Sequence, residues 1–328
     1  MPRVLVITHE QVEQLLPMPE CIELMEQTLA SLSRGELQQP LRTIIRPHES
    51  SGLMALMPAY RSTEPVYALK AICVFPGNAA IGKDAHQGGV LLFSGETGEL
   101  LALVNASAIT GIRTAAVSAV ATRKLAREGA AELAIIGAGV QARSHLQAIS
   151  CVRRIKSARV ASRTAAHAHE FAREVSPRYE FSVEAASSVI DAVRGADIIV
   201  TVTTASEPVL RREWISPGAH INAVGTYSTT AREVDSATMK AASLFVDRRE
   251  SALTEAGDYL LAAAEGIIGP DHIKAELGEV LIGTKTGRKS EDEITLFKSL
   301  GLAVEDLAAA EYVFQQAKKK DIGTWAEF

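Results

Sequence analysis

The chain has 328 residues, of which 47% are hydrophobic and 22% charged, a composition typical of a folded globular protein with room for two domains. Its 34 basic and 39 acidic residues leave a net charge of −5, and this lack of a basic surplus argues against nucleic-acid binding. No apolar stretch approaches the roughly 20 residues that cross a bilayer, and the apolar start of the chain is too short for a signal peptide. We therefore expect a cytoplasmic protein without nucleic-acid or membrane partners.

The cysteines Cys21, Cys73 and Cys151 are odd in number and lie far from the spacing of metal ligands. This pattern argues against a disulfide framework and against a zinc site. Each cysteine is expected to be a small buried hydrophobe, because free cysteine is often buried. The sequence therefore predicts no metal site.

The first third of the chain carries the patterns of mixed helices and strands. A helical pattern of apolar residues over 10–32 is interrupted by Pro17 and Pro19. Short apolar runs follow at 43–45, 53–57, 67–75, 89–93 and 100–104. The glycine-bearing turn between the last two runs is typical of a hairpin. This region is therefore expected to form an antiparallel sheet.

An alanine-rich helix over 114–125 marks a change of pattern, and strands then alternate with helices. Strands are predicted at 133–136, 158–161, 197–202, 220–224 and 244–247, the last of which is expected to close the series. This alternation predicts an α/β fold with a Rossmann-type, doubly wound parallel sheet. From Leu296 onward the pattern is helical, and this segment is expected to return to the first domain.

A glycine turn follows the first of these strands. Gly137, Ala138, Gly139, Val140, Gln141 and Ala142 form a Gly-x-Gly-x-x-Ala pattern between a predicted strand and a predicted helix. Gly137 permits a tight turn, Gly139 leaves the pyrophosphate unobstructed, and the helix N-terminus offers backbone N–H groups to phosphates. A glycine turn that binds no nucleotide remains the alternative.

The residues that distinguish NAD from NADP lie about 20 residues later, at the end of the second strand. Where a site for NAD usually has Asp or Glu, this chain has Ser162, Arg163 and Thr164. An arginine can pair with a 2′-phosphate, and the hydroxyls can donate hydrogen bonds to it. The sequence therefore favours NADP(H), with NAD(H) possible; a surface arginine without a ligand is the alternative.

The chain resembles the ornithine cyclodeaminase/μ-crystallin family, and it looks most similar to the μ-crystallin branch of ketimine reductases. The resemblance is carried, in order, by the segments at 39–43 (QPLRT), 57–60 (MPAY), 109–116 (ITGIRTAA), 136–142 (IGAGVQA), 217–225 (PGAHINAVG) and 297–301 (FKSLG). It implies a discontinuous α+β substrate-binding and dimerisation domain over 1–115 plus 301–328. It further implies an NAD(P)-binding Rossmann domain over 116–300, and a homodimer joined through the first domain.

Arg42, Lys70 and Arg113 match the carboxylate-binding arginines and the active-site lysine of the family. A guanidinium can clamp a carboxylate bidentately. Lys70 lies in an apolar run and could otherwise point outward from an edge strand; beside two arginines, its pKa would be lowered. Arg113, placed just before the alanine-rich helix, could otherwise be an ordinary surface charge.

Other candidates are less specific. His86 matches a histidine of the μ-crystallin branch and could line the substrate pocket or pass a proton, or it could be a loop histidine without a role. Thr114, expected at the opening of the alanine-rich helix, is a candidate for the cofactor site together with Val202, Thr203, Val224 and Gly225.

One departure from the family bears on the reaction. Cyclodeaminases carry an aspartate shortly after the Asn-Ala-Val-Gly motif, whereas this chain has no acid between Gly225 and Glu233. We therefore expect an NADPH-dependent reductase of a cyclic ketimine carboxylate, such as pyrroline-2-carboxylate or piperideine-2-carboxylate. The alternatives are an alanine-type dehydrogenase, an ornithine cyclodeaminase and a non-enzymatic, crystallin-like carrier of small ligands that binds NADPH.

Overall fold

A computed structural model of the chain describes residues 3–328, apart from the side chains of Ala79 and Ala80. The chain forms two compact units, one from Met1–Arg113 with Gly301–Phe328 and one from Thr114–Leu300. Met1 and Pro2, which belong to the first predicted domain, lie outside the described residues.

The strands are, in chain order, β1 (Arg3–Ile7), β2 (Leu37–Gln38), β3 (Thr43–Ile45), β4 (Leu53–Arg61), β5 (Val66–Val74), β6 (His86–Ser94), β7 (Leu100–Asn105), β8 (Glu132–Ile136), β9 (Ser157–Ala161), β10 (Ser182–Ala185), β11 (Ile198–Thr201), β12 (His220–Ala223), β13 (Ser243–Val246), β14 (Ile273–Glu276), β15 (Thr295–Lys298) and β16 (Thr324–Glu327). The α-helices are α1 (His9–Leu15), α2 (Met18–Ser33), α3 (Ala106–Leu125), α4 (Val140–Val152), α5 (Ala165–Val175), α6 (Val189–Val193), α7 (Ser236–Ala241), α8 (Arg249–Glu255), α9 (Gly257–Ala264), α10 (Leu277–Leu281) and α11 (Ala303–Lys320). Short 3-10 helices occupy Pro76–Ile81, Ser176–Arg178, Arg212–Trp214 and Pro270–His272.

The first unit is built on a mixed sheet with the strand order β16-β1-β7-β6-β5-β4-β2, and β3 pairs with β4. The pairings from β4 to β7 are antiparallel, and β6 and β7 form the predicted hairpin. β1 pairs with β7 in parallel, so the sheet is mixed rather than wholly antiparallel. Helix α11 packs on β4, β5 and β6 and also contacts α2. The inward residues of these strands meet that helix.

The second unit is built on a sheet whose strands run in the order β10-β9-β8-β11-β12-β15-β13-β14, and every pairing is parallel. The chain leaves β8 toward β9 and β10 and then returns to β11 on the other side. The sheet therefore changes winding direction between β8 and β11. Ligands of doubly wound sheets bind at the carboxyl ends of the strands at this point. The predicted α/β class with a Rossmann-type sheet is confirmed.

Two expectations for the end of the sheet are wrong. The strand series does not close at β13, because β14 and β15 also join the sheet. The predicted C-terminal helix does not begin at Leu296, because Thr295–Lys298 form β15, which is buried between β12 and β13; the helix α11 begins at Ala303. Periodicity alone cannot distinguish a short apolar run in a buried strand from the start of a helix.

The alanine-rich helix begins earlier than expected. α3 starts at Ala106, where Asn105 Oδ1 accepts a hydrogen bond from the amide of Ala108 at 3.0 Å and so caps the helix. Arg113 and Thr114 therefore lie inside α3 and not at its opening. Of the two expected interruptions, Pro17 does separate two helices, because it stands at the N-cap of α2, whereas Pro19 lies in the first turn of α2 and does not interrupt it.

The cysteines differ in burial. Cys21 is buried and Cys73 is half-buried, whereas Cys151 is exposed, so the expectation of burial is wrong for Cys151. Cys151 lies near the end of α4 and is not among the buried residues of this helix. Within residues 3–328 no helix combines the length and the apolar character that a membrane crossing requires. The same part of the chain contains no group of three or more His, Cys, Asp or Glu that could hold a metal ion.

Candidate functional site

Lys70 is a buried cation in the middle of the first unit's sheet. It lies in β5, between β4 and β6, so it does not point outward from an edge strand. Its side chain lies on the inner face, alternating with outward neighbours, and is only 2% exposed. Nζ lies 2.7 Å from Asp306 Oδ2 and donates to Thr110 Oγ1 at 3.3 Å. The lysine is therefore held in one orientation by two polar partners.

Arg113 joins the same cluster from α3. Its Nε donates to Asp306 Oδ1 at 2.9 Å, and its Nη1 donates to Glu305 Oε2 at 2.9 Å. The guanidinium is buried, so it is not an ordinary surface charge. Asp306 therefore binds Lys70 with one oxygen and Arg113 with the other, and it brings the two predicted site residues together.

The acidic partners stand in the first turn of α11. Glu305 Oε2 also accepts a hydrogen bond from the amide of Leu302 at 3.1 Å, at the beginning of this helix. Negative side chains are favoured there because the first turn leaves backbone N–H groups unpaired and carries the positive end of the helix dipole. The local sequence thus favours acids at these positions, and the fold uses the same acids to neutralise two cations.

Burial changes the protonation behaviour of this cluster. Burial lowers the pKa of Lys70 to about 8; the charge of Asp306 opposes this shift, and the charges of Arg113 and Arg42 add to it. Burial acts to raise the pKa of Asp306, but the charges of Arg113 and Lys70 outweigh that effect and keep it below the ordinary value. Near neutral pH, Asp306 is therefore ionised, and Lys70 holds a proton that it can lose within the physiological range.

Arg42 and Gly301 extend the cluster. Arg42 Nη2 donates to the carbonyl oxygen of Gly301 at 2.9 Å, and the Arg42 side chain is half-buried. Gly301 has a φ of 76°, and a methyl group added there would lie 2.4 Å from Arg113 Nη1. A glycine is therefore required where the chain passes the Arg113 guanidinium.

His86 opens β6 and is paired in register with Val74. Burial, together with the positive charges of Lys70 and Arg113, lowers the pKa of His86 to about 4. The imidazole is therefore neutral near pH 7, where it can accept a hydrogen bond but does not act as a cationic proton donor.

In the second unit, the glycine turn joins β8 to α4. Gly137 has a φ of 120°, and a methyl group there would lie 2.6 Å from the carbonyl oxygen of Val202. A methyl group at Gly139 would meet nothing within 4 Å, so the backbone at this residue faces open space. No side chain caps the N-terminus of α4, and Ala142 is buried against the sheet. These features fit a dinucleotide pyrophosphate at the helix N-terminus.

Around this turn lie the other predicted cofactor residues. Val140 is 63% exposed, whereas Ala138 and Gln141 are half-buried. Ser162, Arg163 and Thr164 follow β9, with Arg163 and Thr164 exposed. Thr114 is buried, and its Oγ1 has no hydrogen-bond partner among the described residues.

Val202 and Thr203 follow β11, and Val224 and Gly225 follow β12, the neighbouring strand. The structure joins these two loops through Glu233, which is buried and accepts hydrogen bonds from Thr203 and Gly225. Burial raises the pKa of Glu233, while Lys298 and the hydrogen bonds of Thr203 act in the opposite direction. Val202, Thr203, Val224 and Gly225 are thus brought to one edge of the sheet.

Sequence reasoning missed the acidic partners of these sites. Glu305 and Asp306 carry a signal, because an acidic pair follows a glycine at the start of a helix, but that signal indicates a helix start and not a site. In the sequence, Glu233 is notable only as the first acid after Gly225. Nothing in the local pattern shows that Glu233 is buried or what it binds.

Comparisons with known proteins identify the family to which the chain is similar. Residues 3–321 match the sequence model of the "Ornithine cyclodeaminase/mu-crystallin family". The chain is 43% identical to the ketimine reductase mu-crystallin of Mus musculus over 293 residues, covering 88% of this chain and 90% of that protein.

Two solved structures are similar over nearly the whole chain. One is the Delta(1)-pyrroline-2-carboxylate reductase of Thermococcus litoralis in complex with NADH and L-proline, with 39% identity, a TM-score of 0.96 and coverage of 98% of this chain and 99% of that one. The other is an archaeal alanine dehydrogenase dimer with bound NAD, with 32% identity, a TM-score of 0.94 and coverage of 99% of both chains.

Proposed function

Because the chain belongs to the ornithine cyclodeaminase/mu-crystallin family, we propose that it is an NAD(P)H-dependent reductase of cyclic ketimine carboxylates such as pyrroline-2-carboxylate or piperideine-2-carboxylate. The family predicted from the sequence is confirmed by the match over residues 3–321. The observation that carries the proposed reaction is the buried cluster of Lys70, Arg113 and Asp306 in the first unit. The similarity to a mu-crystallin ketimine reductase and to a pyrroline-2-carboxylate reductase supports this choice of substrate class.

The charges of the cluster suit a substrate with one carboxylate. Lys70, Arg113 and Arg42 bring three positive charges, and Glu305 and Asp306 bring two negative charges, which leaves a surplus of one positive charge. Arg42 is the half-buried member, so its guanidinium is the group best placed to receive a carboxylate. A monocarboxylate bound there would neutralise the surplus.

Lys70 would complete the reduction of the imine. When bound, the nicotinamide cofactor supplies a hydride for the imine carbon. The imine nitrogen must then gain a proton as the C=N bond becomes CH–NH, and Lys70 Nζ can provide it because its pKa is about 8. Asp306, whose carboxylate stays ionised, would keep Nζ oriented and favour its ammonium form, and Lys70 would regain its proton from solvent.

Gly137, Gly139 and the N-terminus of α4 would hold the pyrophosphate, and the loops that follow β11 and β12 would hold the nicotinamide half. We propose NADP(H) as the preferred cofactor because Arg163 stands after β9, where a carboxylate would repel a 2′-phosphate. The similar structure with bound NADH leaves NAD(H) as the competing choice.

The reaction is tested by following NAD(P)H consumption at 340 nm. The substrates are the two cyclic ketimines and pyruvate with ammonia. Cyclodeamination of ornithine regenerates the oxidised cofactor, so ornithine is tested separately by the release of ammonia. Turnover of a cyclic ketimine well above the others supports the proposal. Preference for pyruvate with ammonia would identify an alanine-type dehydrogenase, and tight NADPH binding without any turnover would identify a carrier.

The cofactor preference is tested by replacing Arg163 with Asp. We expect the Kd of NADPH to rise much more than that of NADH, because the variant places a negative charge beside the 2′-phosphate. Arg173→Asp, the same charge change in the last turn of α5, is the matched control and should change neither Kd. Equal losses for the two cofactors in Arg163→Asp would contradict the NADP(H) assignment.

We also propose a homodimer formed through the outer face of the first unit's sheet. Apolar side chains lie exposed there, with Tyr67 at 48%, Leu103 at 39% and Met54 at 37%. The rings of Tyr60 and Tyr67 stack at 4.5 Å on this face. A contiguous apolar face of this kind is typical of a protein interface, and the similar alanine dehydrogenase is a dimer.

A further inference from the structure

Glu233 is a fully buried carboxylate that binds two loops of the second unit at once. Its Oε1 accepts hydrogen bonds from the amide of Thr203 at 2.6 Å and from Thr203 Oγ1 at 2.7 Å. Its Oε2 accepts hydrogen bonds from Thr201 Oγ1 at 2.9 Å and from the amide of Gly225 at 2.7 Å. One side chain therefore ties the carboxyl end of β11 to the carboxyl end of β12.

Glu233 is itself anchored to this edge of the sheet. Its amide donates to Asp258 Oδ1 at 2.8 Å, and Lys298 Nζ lies 2.9 Å from Asp258 Oδ2. Lys298 Nζ also donates to the carbonyl oxygen of Thr226 at 2.7 Å. Because Lys298 ends β15, which pairs with β12, the network spans the carboxyl ends of three neighbouring strands.

The two loops approach each other so closely that they leave no room for a side chain. A methyl group added at Gly225 would lie 2.2 Å from the carbonyl oxygen of Thr203 and 2.6 Å from Glu233 Oε1. A carboxylate that accepts three hydrogen bonds from two loops and one from the end of β11 fixes the separation of the loops, since moving either loop breaks charge-assisted bonds inside the protein.

The position of these loops points to their ligand. In a doubly wound sheet, the strands on either side of the switch point bind the two halves of a dinucleotide. Arg163 and the N-terminus of α4 belong to the half built from β8, β9 and β10, whereas Thr203 and Gly225 belong to the half that begins with β11 and β12.

We propose that Glu233 is a positioning residue that holds the Thr203 and Gly225 loops at the separation that the nicotinamide half of the cofactor requires. This inference rests on the proposed function, since it takes a nicotinamide dinucleotide as the ligand of the second unit. Glu233 acts through the two loops and need not touch the cofactor.

The variant Glu233→Gln tests this role. A glutamine has nearly the same shape, but its amide nitrogen cannot accept hydrogen bonds, so the donors on one side of the group lose their partner. We expect the Kd of NADH and NADPH, measured by fluorescence titration, to rise by about tenfold, the effect of losing one charge-assisted hydrogen bond. The Kd of ADP should not change, because ADP occupies only the adenosine half and the pyrophosphate site. In the cofactor-free protein, the amide protons of Thr203 and Gly225 should exchange faster with solvent.

Asp197→Asn is the matched control. Asp197 precedes β11, and its Oδ2 accepts hydrogen bonds from the amides of Ala131 at 2.8 Å and Glu132 at 3.0 Å, at the opposite edge of the same sheet. It is thus a carboxylate that ties neighbouring strands away from the cofactor loops. We expect it to lower the free energy of unfolding while the Kd values of NADH and ADP stay as in the wild type.

Thr201→Val is a second, milder variant, because it removes one donor to Glu233 Oε2 and keeps the side-chain shape. It should raise the Kd of NADH and leave the Kd of ADP unchanged, as expected for Glu233→Gln. If Glu233→Gln does not fold, Thr201→Val provides the test. Equal weakening of ADP and NADH, or wild-type binding of NADH by both variants, would overturn the positioning role and leave the proposed function intact. A wild-type protein that binds neither NADH nor NADPH would refute the proposed function and this inference with it.

Discussion

Replacing Asp306 with Asn removes a group that binds both Lys70 and Arg113. Asp306 Oδ2 lies 2.7 Å from Lys70 Nζ, and Oδ1 accepts from Arg113 Nε at 2.9 Å. Asparagine keeps the shape of the side chain, but it is neutral and its amide nitrogen is a donor. In the variant, one of the two cations therefore faces another donor, and neither faces a negative charge on residue 306.

The energetic effect follows from burial. Two unit charges at the Lys70–Asp306 separation attract by about 6 kcal/mol at an effective dielectric constant of about 20, and desolvation of both groups offsets much of this. Removing one partner of a buried ion pair costs about 3–5 kcal/mol of stability. Lys70 can relieve part of this cost by losing its proton, since its pKa is already lowered to about 8. We therefore expect a loss near the lower limit, about 3 kcal/mol at neutral pH, and a further fall of the Lys70 pKa.

The pH dependence of stability gives a second measurement. The pKa of Lys70 is 10.5 as an ordinary lysine and about 8 in the folded chain. Between these values the unfolded chain binds more protons, so the contribution of Lys70 makes the free energy of unfolding rise with pH across this window. In Asp306→Asn the folded pKa is lower still, so this rise should begin at a lower pH. Urea titrations over a series of pH values measure the free energy of unfolding of the wild type and of Asp306→Asn.

The pH profile of kcat/KM for ketimine reduction tests the role of the proton. If the Lys70 ammonium donates it, wild-type activity falls above about pH 8, and the activity of Asp306→Asn falls at a lower pH. Glu305→Gln is the matched control, because it breaks the 2.9 Å bond to Arg113 Nη1 without touching Lys70. It should lower stability and leave the alkaline limb in place. If a folded Asp306→Asn variant kept the wild-type alkaline limb, Lys70 would not be the proton donor that this limb reports.

Three further predictions concern other parts of the molecule. Gly301→Ala should lower the free energy of unfolding more than Gly266→Ala, because both have a positive φ but only the methyl group at Gly301 would meet Arg113, 2.4 Å away; equal losses in urea titrations would contradict the close approach. Gly139→Ala should fold and weaken NADH binding, since its methyl group would meet nothing in the protein within 4 Å and would face the proposed pyrophosphate site; wild-type affinity in a fluorescence titration would exclude that site. Tyr67→Asp should sediment as a monomer where the wild type sediments as a dimer, because it places a charge on the outer face of the sheet; an unchanged sedimentation coefficient would remove that face as the interface.

Local patterns predicted much of the second unit and its nucleotide turn. The alternation of strands and helices and the spacing of Gly137 and Gly139 depend on residues adjacent in sequence, so they can be recognised without the fold. The helix boundaries at Pro17 follow from the chemistry of one residue in the same way. The site residues Arg42, Lys70 and Arg113 came instead from the family resemblance, because a cation in an apolar run is equally compatible with an exposed edge strand.

Contacts between distant segments decided the rest. Lys70 is buried because β5 lies between two strands, and Arg113 meets an acid that is 193 residues away in sequence. The sequence pattern predicted a helix at β15 because all residues of this strand are buried, and a short apolar run without alternation cannot be distinguished from part of a buried helix. The sequence by itself thus determined most of the elements of the second unit, the glycine turn and the family. Only the tertiary structure decided which acids neutralise the cations and which loops Glu233 joins, since ion pairs and hydrogen bonds depend on separation in space and not along the chain.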